Sequence, residues 1–266
     1  MKMLAFLANP DRFRRLTGPA LPVAGLLAAG LILAGAVWAL GFSPADRVQG
    51  EAVKIMYVHV PAAWMAMAAY AFIAVASLVG YVWRHSLADI AAREAALPGF
   101  VFTLLALVTG SIWGRITWGV WWDWDARMTS MLALLFIYAG YMALWRAIEN
   151  EGQAARAAAL LAMVGAINLP IIKFSVDFWE TLHQKASVIR ADGPSMPASM
   201  LWPLAIMALG YTALFAFYVM LRMHTVILEK RRDARARPAR AASTATISHP
   251  APAGPDPSSP GQGEHA

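Results

Sequence analysis

The chain has 266 residues, 59% of them hydrophobic and 14% charged, against about 25% charged in an ordinary soluble domain. A mean hydropathy of +0.51 excludes a soluble enzyme of this length, and the absence of cysteine excludes disulfides, thiolate metal sites and thiol catalysis. A net charge of +6 in such a chain reads as basic loops on one side of a membrane rather than as a nucleic-acid surface.

Crossing the hydrocarbon core takes about 20 apolar residues. Six runs qualify, at about 20–42, 61–83, 97–113, 128–147, 157–174 and 200–220. They are continuous rather than alternating, so they predict an all-α integral membrane protein with six transmembrane helices and not a β-barrel. Lys2, Arg12, Arg14 and Arg15 precede the first run. That run exceeds the roughly 7–15 apolar residues of a signal peptide, so it reads as a retained anchor. In the second run, Pro61 suits the first turn of a helix, which places His59 just before that helix begins. In the fifth, Asn168 and Pro170 predict a kink paired with a neighbouring helix, and Lys173 reaches outward to the interface. From about Arg231 the sequence turns to Ala, Pro, Ser and Gly. Residues 231–266 therefore read as a disordered tail after a membrane domain at 1–230.

Placing both termini in the cytoplasm puts most of the 22 lysines and arginines on that side, as the positive-inside rule requires. The loops before span two, between spans three and four, and after span five then share the opposite side. His85 and His224 fall at cytoplasmic helix ends and read as solvated interfacial histidines. His249 and His265 fall in the tail.

The loop between spans three and four is the most informative segment. It reads Trp113-Gly-Arg-Ile-Thr-Trp118-Gly119-Val-Trp121-Trp122-Asp123-Trp124-Asp125-Ala-Arg127, and holds five of the chain's 11 tryptophans. An interfacial aromatic belt explains one or two tryptophans per helix end, not this density. If helical, the segment puts Trp118, Trp121, Trp122 and Asp125 on one face, a platform for a flat apolar ring. Arg127 suits planar recognition of a carboxylate. Asp125 also reads as ordinary helix-start chemistry. His59 and His183, from different loops on the same side, could ligate one haem iron from opposite faces, with the tryptophans as the apolar wall. Two unrelated interfacial histidines are the alternative. A zinc site would want a third or fourth ligand, for which Asp125 or Glu180 are the candidates. A cytochrome b would place its histidines inside the spans, where none is seen.

Trp118-Gly119-x-x-Trp122-x-Trp124-Asp125 resembles the "WWD" signature of haem-handling membrane proteins. With six spans, the His59 block and the block from Phe174-Ser175-Val176-Asp177 to His183-Gln184, the chain resembles the cytochrome c maturation protein C family, also called haem exporter protein C. Lys54 stands where the family pattern has an arginine before Ile-x-Tyr-x-His. The resemblance implies a bacterial inner-membrane protein whose Trp-rich loop faces the periplasm. It implies His59 and His183 as axial ligands of the metal, with Trp118, Gly119, Trp122, Trp124, Asp125 and Arg127 holding haem b as transient cargo. It further implies work with an ATP-binding-cassette complex of maturation proteins A and B and a small membrane protein D, and delivery of haem to a periplasmic haem chaperone, maturation protein E. On this reading the chain is a haem transfer or transport protein rather than a stand-alone enzyme. The alternatives are a haem-transporting permease subunit, a haem lyase of the larger WWD type, and a purely structural subunit.

Overall fold

The computed structural model describes residues 8–185 and 187–247. The described chain is helical throughout, and its one β feature is an isolated bridge between Asp46 and Gly50. A short helix α1 (Pro10–Thr17) is capped by Asn9, whose Oδ1 accepts from the Asp11 and Arg12 amides. It is followed by α2 (Ala20–Gly41), a single 3₁₀ turn (Glu51–Ile55), α3 (Met56–Trp83) and α4 (Ser86–Trp118). Beyond these lie α5 (Ala126–Ala147), α6 (Glu151–Gly165), α7 (Asn168–Phe178) and α8 (Ala198–Ile247). Six stretches are long and apolar enough to cross a membrane: Ala20–Gly41, Glu51–Trp83, Ser86–Trp118, Ala126–Ala147, Glu151–Phe178 and Ala198–Ala236. The six spans expected from the sequence are therefore present.

Three boundaries differ from expectation. Pro61 lies inside α3 rather than at its start. The 3₁₀ turn feeds directly into the helix at Met56, so His59 is a helical residue. Pro61 costs α3 only the hydrogen bond its missing N–H would give to the Tyr57 carbonyl. Span three begins at Ser86, not near Leu97, because His85 caps it: the Ala88 amide donates to His85 Nδ1 at 3.1 Å. The Ala-rich stretch that follows has high helix propensity. Third, α8 continues past Arg231 to Ile247, so the first part of the expected disordered tail is helical, as its Ala- and Arg-rich composition favours. His249, His265 and the remainder of that tail lie outside the described residues.

At the kink expected in span five, the helical ladder is interrupted. Between α6 and α7, Ala166 and Ile167 form a turn whose backbone stays right-handed helical, and the Asn168 side-chain amide donates to the Ser130 carbonyl on α5 at 2.9 Å. A polar side chain thus bonds across helices where water is excluded.

The chain divides into two units, Met1–His224 and Thr225–Ala266. In the first, α3 and α4 form the closest pair, α5 packs on α4, and α6 and α7 pack on α3 and α5 respectively. Lipid offers no hydrophobic drive to helix pairing, so the contacts rely on small residues that let backbones approach. Gly35 faces Met207, Gly210 faces Ile32 and Gly25 faces Phe217, which seats α2 on α8. Tyr70 and Tyr138 are fully buried between helices. Their rings meet edge to face at 5.1 Å, and Tyr138 donates to the Ala66 carbonyl at 2.8 Å. His224 is half-buried rather than freely solvated. It hydrogen-bonds Thr17 Oγ1 at 2.6 Å and packs against Phe13.

Candidate functional site

At the end of the bundle that carries the Trp-rich loop, a cavity of about 290 Å³ opens between α3, α4, α5 and the segment after α7. That is close to the lower end of preformed ligand pockets. His59, His183, Trp118 and Arg127 all line it, together with Trp64, Trp113, Met128 and Met131. Two histidines 124 positions apart in the sequence therefore face one space.

Each imidazole is held through its Nδ1. On α3, His59 Nδ1 lies 3.0 Å from the Ala106 carbonyl and 3.2 Å from Thr109 Oγ1, both on α4. The carbonyl oxygen only accepts, so Nδ1 carries the proton and Nε2 keeps its lone pair. Gly110 makes room for the ring: a Cβ there would lie 2.7 Å from His59 Cε1. Trp113 meets the ring edge-on at 5.7 Å, and its own Nε1 donates to Gln49 Oε1 at 2.8 Å. Gln49 is placed by a tight turn in which Asp46 Oδ1 accepts from the Val48 and Gln49 amides, each at 2.8 Å. Those two bonds hold the Asp46 carboxyl below its ordinary value.

His183 sits in the segment after α7. Its Nδ1 lies 2.9 Å from Asp125 Oδ2, its backbone N–H donates to Thr181 Oγ1 at 3.1 Å, and the Thr181 hydroxyl donates to the same Asp125 oxygen. Trp118 abuts the ring edge-on at 5.2 Å. Burial pushes the His183 pKa down, and the Asp125 carboxylate pulls it back only in part. For Asp125, burial raises the pKa, but bonds from the Met128 amide, Thr181 and His183 outweigh it and hold the group ionised. A neutral imidazole with Nδ1 engaged and Nε2 free is the form a transition metal takes as ligand. Among the described residues no three His, Asp or Glu side chains gather into a metal-ion cage.

The tryptophan segment is not the helix that would have aligned Trp118, Trp121, Trp122 and Asp125. α4 ends at Trp118, and Gly119 turns the chain at φ 80°, a left-handed conformation that glycine adopts without strain. The loop then folds back on α4. Ser111 Oγ donates to the Trp121 carbonyl at 2.6 Å, and Arg115 donates to the Gly119 carbonyl. Trp122 and Trp124 pack edge to face at 5.4 Å, away from the cavity wall, and Trp124 is 73% exposed. Asp125 restarts the helix as N-cap of α5, its Oδ1 accepting from the Met128 amide at 2.6 Å. The helix-start reading of Asp125 is therefore met, and its other oxygen is turned to His183. Arg127 reaches the cavity. Its Nη2 donates to the Lys173 carbonyl at 3.4 Å, and its buried Nε makes no hydrogen bond among the described residues. Lys54 turns elsewhere, pairing with Glu51 at 2.8 Å and the Leu40 carbonyl at 2.9 Å.

The sequence pattern missed Trp113, Thr109, Gly110, Gln49 and Thr181. Only Trp113 carried a signal, as the first tryptophan of the run. Thr109 and Gly110 become visible only when α3 and α4 are packed, and Gln49 and Thr181 only when their loops are folded beside Trp113 and Asp125.

Comparison with known proteins gives the family of the chain. The family profile described as "Heme exporter protein C" matches residues 3–238. Among relatives carrying that same name, the one from Bradyrhizobium diazoefficiens is 53% identical over 226 residues, 85% of each chain. The one from Escherichia coli K12 is 43% identical over 234 residues, 87% of this chain and 94% of the relative. The one from Paracoccus denitrificans is 42% identical over 226 residues, 84% of this chain and 93% of the relative.

Proposed function

Taking as premise that the chain belongs to the haem exporter protein C family, we propose that it holds haem in transit between His59 and His183 and presents it to a periplasmic haem chaperone in cytochrome c biogenesis. One observation carries the reading. Both histidines line one cavity, and each has Nδ1 engaged as donor, which leaves its Nε2 lone pair free. Axial ligation of haem iron needs that donor set. Trp118 and Trp113 supply apolar walls beside the two ligands, and the guanidinium of Arg127, a residue of the same cavity wall, suits a propionate. Haem b, as cargo, brings an iron with two open axial positions. The chain's part is to orient the ring and keep both imidazoles neutral. The cavity is small beside a porphyrin, which supports a ring with one edge left outside for its acceptor.

In this reading the membrane is the bacterial inner membrane, and the cavity with its Trp-rich loop faces the periplasm. The chain works with the cassette subunits A and B and the small protein D, and hands haem to the chaperone E. The exposed Trp124 and its partner Trp122 then lie where that hand-over occurs.

The test is spectroscopic. The full chain, purified in detergent and loaded with haem, is expected to give a six-coordinate low-spin spectrum in both oxidation states. His59→Ala and His183→Ala should each lose that signature. Wild-type spectra in both variants would sink the ligand assignment.

Acid sensitivity follows from His183. Its folded pKa lies below the ordinary 6.5, so the ring stays neutral as pH falls through that value, and haem ligation should persist there and fail only on further acidification. The unfolded chain takes the proton first, so this group also lowers the stability of the haem-free protein as pH drops below 6.5. A Soret titration downward from neutral pH checks the first statement. A midpoint of ligation at or above 6.5 would contradict it.

A further inference from the structure

We propose that Asp125 acts on haem through His183, as a positioning residue that fixes Nδ1–H and strengthens Nε2 as the axial donor, and does not itself contact the macrocycle. The inference rests on the haem-holding reading above. Asp125 is 4% exposed, and it does not form part of the cavity wall that His183 does form. Oδ2 takes the His183 Nδ1–H at 2.9 Å and the Thr181 hydroxyl, and Oδ1 takes the Met128 amide at 2.6 Å. Both carboxylate oxygens are thus engaged by protein donors, and Asp125 does not line the cavity. Thr181 closes the cluster by accepting the His183 backbone N–H at 3.1 Å.

The opposite ligand is held differently. His59 Nδ1 faces the neutral carbonyl of Ala106 at 3.0 Å, inside a helix pair, with Gly110 against its ring. A carboxylate draws the Nδ1 proton more strongly than a carbonyl does, and so makes the far nitrogen more basic. The two axial bonds are therefore unequal: His59 is fixed by packing, whereas His183 is set by charge. Asp125 also caps α5, which ties the donor strength of His183 to the first turn of that helix.

The experiment compares haem-loaded full-length protein with Asp125→Asn. Asparagine has a single oxygen: with it kept on the Met128 amide as N-cap, an NH2 replaces Oδ2, so the His183 Nδ1–H loses both the charge and its acceptor. Loss of an outer-shell partner typically costs 10–100-fold in metal affinity. A weaker donor disfavours ferric more than ferrous iron, so the ferric-over-ferrous preference is expected to fall about tenfold. For a one-electron couple that raises the midpoint potential by about 59 mV. An unchanged potential overturns the proposal. If Asp125→Asn retains no haem, excess imidazole should restore the six-coordinate spectrum, since only the axial donor has been weakened. Failure of imidazole to restore it also overturns the proposal. The two levels separate cleanly. Spectra unaffected by His59→Ala and His183→Ala overturn the haem-holding reading itself. Ligation lost in those variants, with a wild-type potential in Asp125→Asn, overturns only the positioning role of Asp125.

Discussion

Gly110→Ala is expected to weaken haem binding by about 10–100-fold while leaving the protein folded and inserted. The added methyl falls 2.7 Å from His59 Cε1, inside van der Waals contact, and the nearest thing that can yield is the imidazole. Moving it breaks the Nδ1–H bond to the Ala106 carbonyl, which fixes both the tautomer and the direction of Nε2. The helix itself gains from the change, since alanine is favoured over glycine in a helix interior by about 0.5–1 kcal/mol. Helix content and thermal stability should therefore hold while ligation fails, and a haem titration of the purified variant separates the two. Wild-type affinity would show that the His59 ring owes nothing to this contact.

Gly99→Ala should act on the fold instead. A Cβ at Gly99 meets the hydroxyl and ring of Tyr138. That ring has no route of retreat: it is fully buried, bonded to the Ala66 carbonyl and held edge-on by Tyr70. Overpacking costs about 1–3 kcal/mol, and a lost interhelical hydrogen bond in a membrane about 0.6–1.7 kcal/mol. The expected destabilisation is about 2–4 kcal/mol, measured by denaturant titration in mild detergent. Adding Tyr138→Phe to Gly99→Ala should recover part of it, because the hydroxyl is the first atom the methyl meets. A loss below about 0.5 kcal/mol, or strict additivity of the two changes, would show that α4 and α5 part without strain.

Much of this was legible in the residues. Spans are written in long apolar runs, and a run of about 20 apolar residues has few other uses. Asn168 before Pro170 marked the interruption in span five because a polar amide in lipid must find a partner. The density of tryptophan between residues 113 and 124 exceeded what an interface alone calls for. What failed were readings of local geometry. Pro61 suits a first turn but is tolerated inside α3, since the turn at Glu51–Ile55 starts the helix before it. Helical spacing put Trp118 and Trp122 on one face, but Gly119 takes a left-handed turn between them. A single glycine in an aromatic run does not announce its φ. The partners of His59 were out of reach for another reason. Ala106 offers only a backbone carbonyl, Thr109 only a hydroxyl common in any helix, and Gly110 only the absence of a side chain. No sequence pattern distinguishes such residues from their neighbours until α3 and α4 are laid together.

The length of α4 has a last consequence, for the solvent that the ligand meets. At 33 residues it is about 50 Å long, well beyond a hydrocarbon layer of about 30 Å. Its charged residues divide that length: Asp89, Arg93 and Glu94 near one end, Arg115 near the other. The stretch between them, from Ala95 to Gly114, is about 20 residues and matches the layer. Thr109 and Ala106, which hold His59, then sit about 7–12 Å beneath the surface of the acyl chains, whereas Trp118, Asp125 and His183 stand above it. On the haem-holding proposal, a ring clasped by both histidines straddles the boundary between oil and water, and a detergent that thins or thickens that layer shifts where the boundary falls on the site.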